Sequence, residues 1–189
     1  MKKNLFATAI AASGLLFAVP AFAQTGLQKK DVPPPTDPAV KMSIKDKDFV
    51  NKAAIVSLAE IEMGTLAQAN GLGQEVKDFG ARLVADHEKA NRELASLVAP
   101  AGVALPAKVD DEHQKHLEML KAKKGAEFDA MFAKHMVDGH LKAIALFTTQ
   151  SRSGEMAGLK EFANKTLPTL KEHLAIAQGL AKAKKPAAM

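Results

Sequence analysis

From residue 46 to residue 182, apolar side chains recur at helical spacing, and no run alternates convincingly at the period of two that a half-buried strand requires. The punctuation also falls at helix lengths. The spacing predicts a first helix over about 46–70, with acids in its opening turn and Gly71 beyond its end, and a second over about 74–99, stopped by Pro100 and Gly102. A shorter helix over about 110–123 opens on three acids and closes on three lysines, the order a helix dipole favours. Gly125 separates it from a long helix over about 126–152. After Gly154 a final helical region covers about 155–182, expected to bend or break at Pro168.

Reach arranges these pieces. Helices of about 25 residues are roughly 38 Å long. Loops of two to four residues fold the first two long helices, and the last two, into antiparallel hairpins. The segment 100–125 spans on the order of 50 Å, enough to run back along the bundle. The expected fold is all-α: a ferritin-like four-helix bundle whose one long crossover carries the short extra helix. Leu83-Val84-x-x-His87-x-Lys89-Ala90 echoes Met136-Val137-x-x-His140-x-Lys142-Ala143, as two hairpins related by a pseudo-twofold would.

Residues 1–23 have the form of a secretory signal: Lys2 and Lys3, an apolar run from Leu5 to Val19, and Ala21-Phe22-Ala23 at the cleavage point. The run is too short for a membrane span, and no later stretch approaches the roughly 20 residues needed. The expectation is a periplasmic or secreted chain beginning near Gln24, with no transmembrane span. Residues 24–45, with Pro33-Pro34-Pro35 and Pro38, read as a disordered, semi-rigid leader; 46–183 form the bundle and 184–189 a frayed tail. Two lysines leave with the signal, so the formal charge of +5 becomes +3. Much of that excess is Lys182, Lys184 and Lys185, a tail suited at most to weak contact with cell wall or anionic lipid. The chain has no Trp and no Tyr, which with the modest charge argues against nucleic acid. Absent cysteine excludes disulfides, thiolate metal sites and a Cys nucleophile.

The histidines carry the functional signal. At 100° per residue, His87 lies within the apolar stripe of the second helix, His140 within that of the third long helix, and His173 within that of the fourth. The first helix has no histidine, but Glu60 and Glu62 flank its apolar centre by about 80° on either side, so either can turn inward. Three imidazoles and a carboxylate from four helices suit one divalent transition metal, such as zinc, iron, manganese or copper. The same residues suit a metal-free, hydrogen-bonded network, since an unpaired buried imidazole costs roughly 1–3 kcal/mol. Glu60, His87, His140 and His173 are the candidate ligands, with Glu62 and His135, on a neighbouring face, in reserve. Asp86, Asp138 and Glu172 adjoin the histidines in sequence but lie about 100–200° around the helix, suited to the surface or to bonds behind the ligands. His113, His116 and Met119 make a small face on the short helix that suits copper or, more simply, solvent.

Catalytic signatures are thin. The positions three before His87, His140 and His173 are Val84, Val137 and Leu170, not the carboxylates of a di-iron site. There is no phosphate-cradling glycine loop and no Gly-x-Ser-x-Gly elbow. The residues lean away from an enzyme, and a redox or peroxide-consuming activity is the third reading, after a metal-handling bundle and a metal-free interaction module.

Ala59-Glu60-Ile61-Glu62-Met63-Gly64, Val76-Lys77-Asp78-Phe79, Asp86-His87-x-x-x-Asn91, Phe128-Asp129, His140 and Leu167-Pro168-x-Leu170-x-x-His173 follow one another along residues 46–181. On these the chain resembles an exported bacterial family, domain of unknown function 4142, of the ferritin-like superfamily. The resemblance implies an exported ferritin-like bundle without a settled activity, in which Glu60, His87, His140 and His173 matter. The family often has Asp directly before its third-helix histidine; here Gly139 stands between Asp138 and His140.

Overall fold

The computed structural model describes residues 41–183. The expected signal, the leader up to residue 40 and the tail from 184 lie outside the described residues. Five α-helices follow in order: α1 (Ile44–Asn70), α2 (Gln74–Val98), α3 (Asp111–Lys121), α4 (Gly125–Ser153) and α5 (Ala157–Ala183). No strand occurs among the described residues, and none of these helices is long and apolar enough to cross a membrane.

Local chemistry sets the ends. The Ser43 hydroxyl accepts from the Asp46 N–H at 3.1 Å to start α1, and Asp110 accepts from the His113 N–H at 2.9 Å to start α3. Gly102 and Gly125 adopt left-handed backbone, φ 67° and 61°, where a side chain is disfavoured. These two glycines bound the connection that carries α3 and lets α4 begin at the end of the bundle where α1 finishes. Helices α1 and α2 pack as one hairpin and α4 and α5 as the other, with α1 against α4, α2 against α5, and α3 laid mainly on α1. This is the ferritin-like four-helix bundle with one long crossover. The expected break at Pro168 is absent. Helix α5 continues through it, because an exposed proline removes one backbone bond while buried Leu170 and Phe162 hold the flanking turns in the core.

Two buried aspartates lock the hairpins together. Asp46, 1% exposed near the start of α1, accepts from Gln150 Nε2 at 2.7 Å and from the Met156 and Glu155 N–H groups at 2.9 and 3.2 Å, in the loop between α4 and α5. Asp129, fully buried near the start of α4, accepts from the Leu72 and Gly73 N–H groups at 3.0 and 3.2 Å, in the loop between α1 and α2. Each hairpin thus caps the other's turn, which pairs α1 with α4 and α2 with α5. The sequence echo between α2 and α4 therefore does not join equivalent helices. Burial alone would raise the Asp46 carboxyl, but the bonds from Gln150 and the loop N–H groups outweigh it and hold the pKa below the ordinary value. Asp46→Ala should cost about 3 kcal/mol in urea unfolding, since it strands three donors. A loss below about 1 kcal/mol would show that the loop holds without it.

The core has two apolar layers. One end contains Met63, Phe79, Leu83, Phe128, Phe132 and Leu180; the other contains Phe49, Leu94, Phe147, Leu159, Phe162 and Leu170. Along α2, α4 and α5 the switch between layers falls at His87, His140 and His173, and along α1 it falls just before Glu60. The four polar residues form a stratum across the middle of the bundle.

Candidate metal centre

Each long helix contributes one buried residue to this stratum: Glu60 is 3% exposed, His87 7%, and His140 and His173 are fully buried. Ring nitrogens from the three histidines, one from each, lie within 4.8 Å of one another. Glu60 Oε2 lies 2.6 Å from His87 Nε2 and 3.4 Å from His140 Nε2. Of the two glutamates flanking the apolar centre of α1, Glu60 turns inward and Glu62 stays exposed on the surface. His135 also lies outside the stratum, half-buried beside His116 with ring centroids 4.2 Å apart.

The partners behind the rings assign their hydrogens. His140 Nδ1 is 2.9 Å from the Met136 carbonyl oxygen, which only accepts, so Nδ1–H donates. His173 Nε2 is 2.9 Å from Asp86 Oδ2, so Nε2–H donates there. The Ser57 hydroxyl donates to the His87 carbonyl at 3.1 Å, and His87 Nδ1 lies 3.3 Å from the same oxygen. In the neutral ring, the nitrogen opposite a donating N–H is a bare lone pair. His140 Nε2 and His173 Nδ1 are those opposite nitrogens and turn lone pairs into the stratum, while His87 Nε2 faces the Glu60 carboxylate.

Lone pairs facing lone pairs repel. His140 Nε2 and His173 Nδ1 stand 3.3 Å apart with neither ring's proton between them in the neutral state. His87 Nε2 and Glu60 Oε2 stand 2.6 Å apart, and both are buried without another hydrogen-bond partner. Such a set needs a positive centre, either a proton on one imidazole or a cation among them.

Electrostatics agree. Burial alone would raise the Glu60 carboxyl, but the imidazoles that surround it, His140 and His87 foremost, hold it down to about 2. The His173 ring is pushed down to about 4, first by burial and then by His87 and His140, against the pull of Asp86. In chelator, acid should therefore destabilise the protein. Unfolded histidine titrates near 6.5 and folded His173 near 4, so the unfolded chain binds more protons between those values. Stability contributed by neutral His173, on the order of 3 kcal/mol, is lost as the pH falls through that window. Glu60, ordinarily 4.5, extends the loss toward pH 2. A melting temperature flat from pH 7 to 4.5 would refute a buried neutral His173.

Asp86 sits behind His173, the kind of role open to it from the sequence, while Asp138 pairs with Lys134 at 2.7 Å and Glu172 with Arg82 on the surface. Ser57 and the Met136 carbonyl carried no sequence signal. Ser57 could have been found as the residue one turn before Glu60 on the same inward face; a backbone carbonyl has no residue-type signature at all.

The model of a family described as a domain of unknown function (DUF4142) matches residues 31–180. No curated protein matches the sequence. A crystal structure of a DUF305 fragment from Deinococcus radiodurans is similar with a TM-score of 0.67 at 11% sequence identity, over 75% of this chain and 98% of that one. At that identity the likeness is one of fold: the all-α bundle.

Proposed function

We propose, for a chain that belongs to the DUF4142 family of domains of unknown function, that His87, His140, His173 and Glu60 bind one divalent transition-metal ion. We further infer an exported protein that uses this site in metal handling or envelope stress. The observation that carries the reading is the orientation of the rings: the outer nitrogens face Ser57, Met136 and Asp86, and the three inner nitrogens converge on the same small space beside Glu60. Such outer partners fix tautomer and ring orientation in metal sites generally.

Three imidazoles and one carboxylate form a borderline-soft donor set suited to zinc, iron, manganese or copper. Their net charge of −1 offsets part of a dication's charge in a pocket that shields little. The family's label names no reaction, and the site's four donors suit holding an ion more than turning over a substrate.

A second reading has its own support. His140 Nε2 and His173 Nδ1 are within hydrogen-bonding reach, and a single proton between them, balanced by Glu60, makes a metal-free network that joins four helices. Elemental analysis of untagged protein separates the two. About one transition-metal ion per chain, retained through dialysis, supports the metal centre. Protein that neither retains an ion nor melts higher after incubation with zinc, iron, manganese or copper overturns it in favour of the network.

A further inference from the structure

The core site has a second histidine group beside it. A cleft of about 370 Å³ opens between α3 and α4, lined by His113 and His116 from α3, by His135 and Gly139 from α4, and at its inner end by Glu60. The crossover makes this cleft: without the return of α3 across α1, His116 and His135 would have no reason to meet. Their rings stand 4.2 Å apart, nearly perpendicular, and His135 Nε2 is buried with no hydrogen-bond partner. His113 is engaged differently, with Nδ1 2.7 Å from Asp110 Oδ1 at the helix cap.

Glu60 joins this cleft to the core. Its Oε2 faces His87 and His140, while its Oε1 lies toward α4 at Gly139, 3.5 Å from where a β-carbon there would stand. Gly139 has no side chain to cover the carboxylate on that side. Gly139 thus leaves an opening through which one carboxylate can touch both the cleft and the buried rings.

We propose that the His116–His135 pair is a second, weaker site for a divalent transition-metal ion, and that an ion held there passes along the cleft to Glu60 and the core. The cleft and the pair stand by themselves; the onward step rests on the metal reading of the core. Two imidazoles at an open cleft give a labile site, because the remaining coordination positions stay with water and the ion leaves readily. A buried site closed by four helices fills slowly unless an ion is delivered already partly stripped of water. An imidazole pair performs that stripping, and the carboxylate supplies the next ligand inward.

The test uses untagged full-length protein stripped with chelator, Zn²⁺ as the probe, and a competing metal-sensitive dye read at equilibrium and by stopped flow. Wild type should take two ions, one tightly and one weakly. The double variant His116→Gln/His135→Gln changes only half-buried positions, and its melting temperature in chelator should match wild type. It should retain the tight ion with unchanged affinity, lose the weak one, and load the tight site at least tenfold more slowly. His173→Ala should lose the tight ion and keep the weak one. Retention of both ions by the double variant, or loading at the wild-type rate, overturns the proposal. If wild type binds a single weak ion that His173→Ala retains and the double variant loses, the pair stands as a site and the core reading fails.

Discussion

Replacing His173 with alanine is expected to take the metal retained through dialysis from about one ion per chain to none. With free metal at a hundred times its dissociation constant, binding stabilises the wild-type protein by about 2.7 kcal/mol. For a domain of this size that is a rise in melting temperature of roughly 8–10 °C. The variant should show no rise. His173 is the sharpest choice because its two nitrogens face opposite ways: Nε2 donates outward to Asp86, and Nδ1 meets His140 inside. Alanine removes both the ligand and the link to Asp86, and leaves His140 Nε2 with only Glu60 beside it. Because the variant also loses packing, Asp86→Asn is the companion. Asp86 touches His173 from a partly exposed position, so its loss leaves the core filled. It should weaken metal binding by about 10–100-fold, the usual effect of removing such an outer partner. If both variants show the wild-type rise in melting temperature on metal addition, no ion is held at this stratum.

Gly80→Ala is expected to destabilise the protein by about 2–3 kcal/mol, although alanine is the better helix former by about 1 kcal/mol. A β-carbon on Gly80 would stand 2.5 Å from the Gly64 carbonyl oxygen and 2.8 Å from Ala67 Cβ, and one on Gly64 would stand 2.6 Å from the Gly80 carbonyl oxygen. Helices α1 and α2 touch backbone to backbone there, with nothing flexible to move aside. Gly64 is one turn beyond Glu60 and Gly80 two turns before His87, so a wedge at this contact also draws the carboxylate away from the imidazole. Metal affinity should therefore fall along with stability. Gly179→Ala is the control: nothing lies within 4 Å of its β-carbon, and the substitution should stabilise by up to about 1 kcal/mol. Thermal melts with and without Zn²⁺ read both effects. A stabilised Gly80→Ala protein would mean that the two helices are not in close contact.

The helices and their order could be read from the chain because both rest on local rules. Apolar spacing places α1, α2, α4 and α5 within a few residues, and the length of the segment 100–125 dictates a crossover that returns along the bundle. The inward faces of His87, His140 and His173 follow from the same periodicity, since a residue's angle around its own helix needs no knowledge of any other helix. That Pro168 does not interrupt α5 shows the limit of such rules. A proline penalises a helix by a local amount, and the burial of the residues around it decides whether the helix continues.

Other features depend on contacts between residues far apart in the chain. Glu60 and Glu62 are equivalent around α1, and the choice of Glu60 is made by imidazoles on α2 and α4. Asp46 looks like an ordinary acid in a first turn, yet it holds a loop more than a hundred residues away. His116 and His135 meet only because the crossover lays α3 beside α4. Helical periodicity is carried by covalent neighbours and survives in the bare sequence. Which ring nitrogens face one another, and that the Asp86 carboxylate accepts from behind His173, depends on distances between separate helices, and these exist only once the bundle has closed.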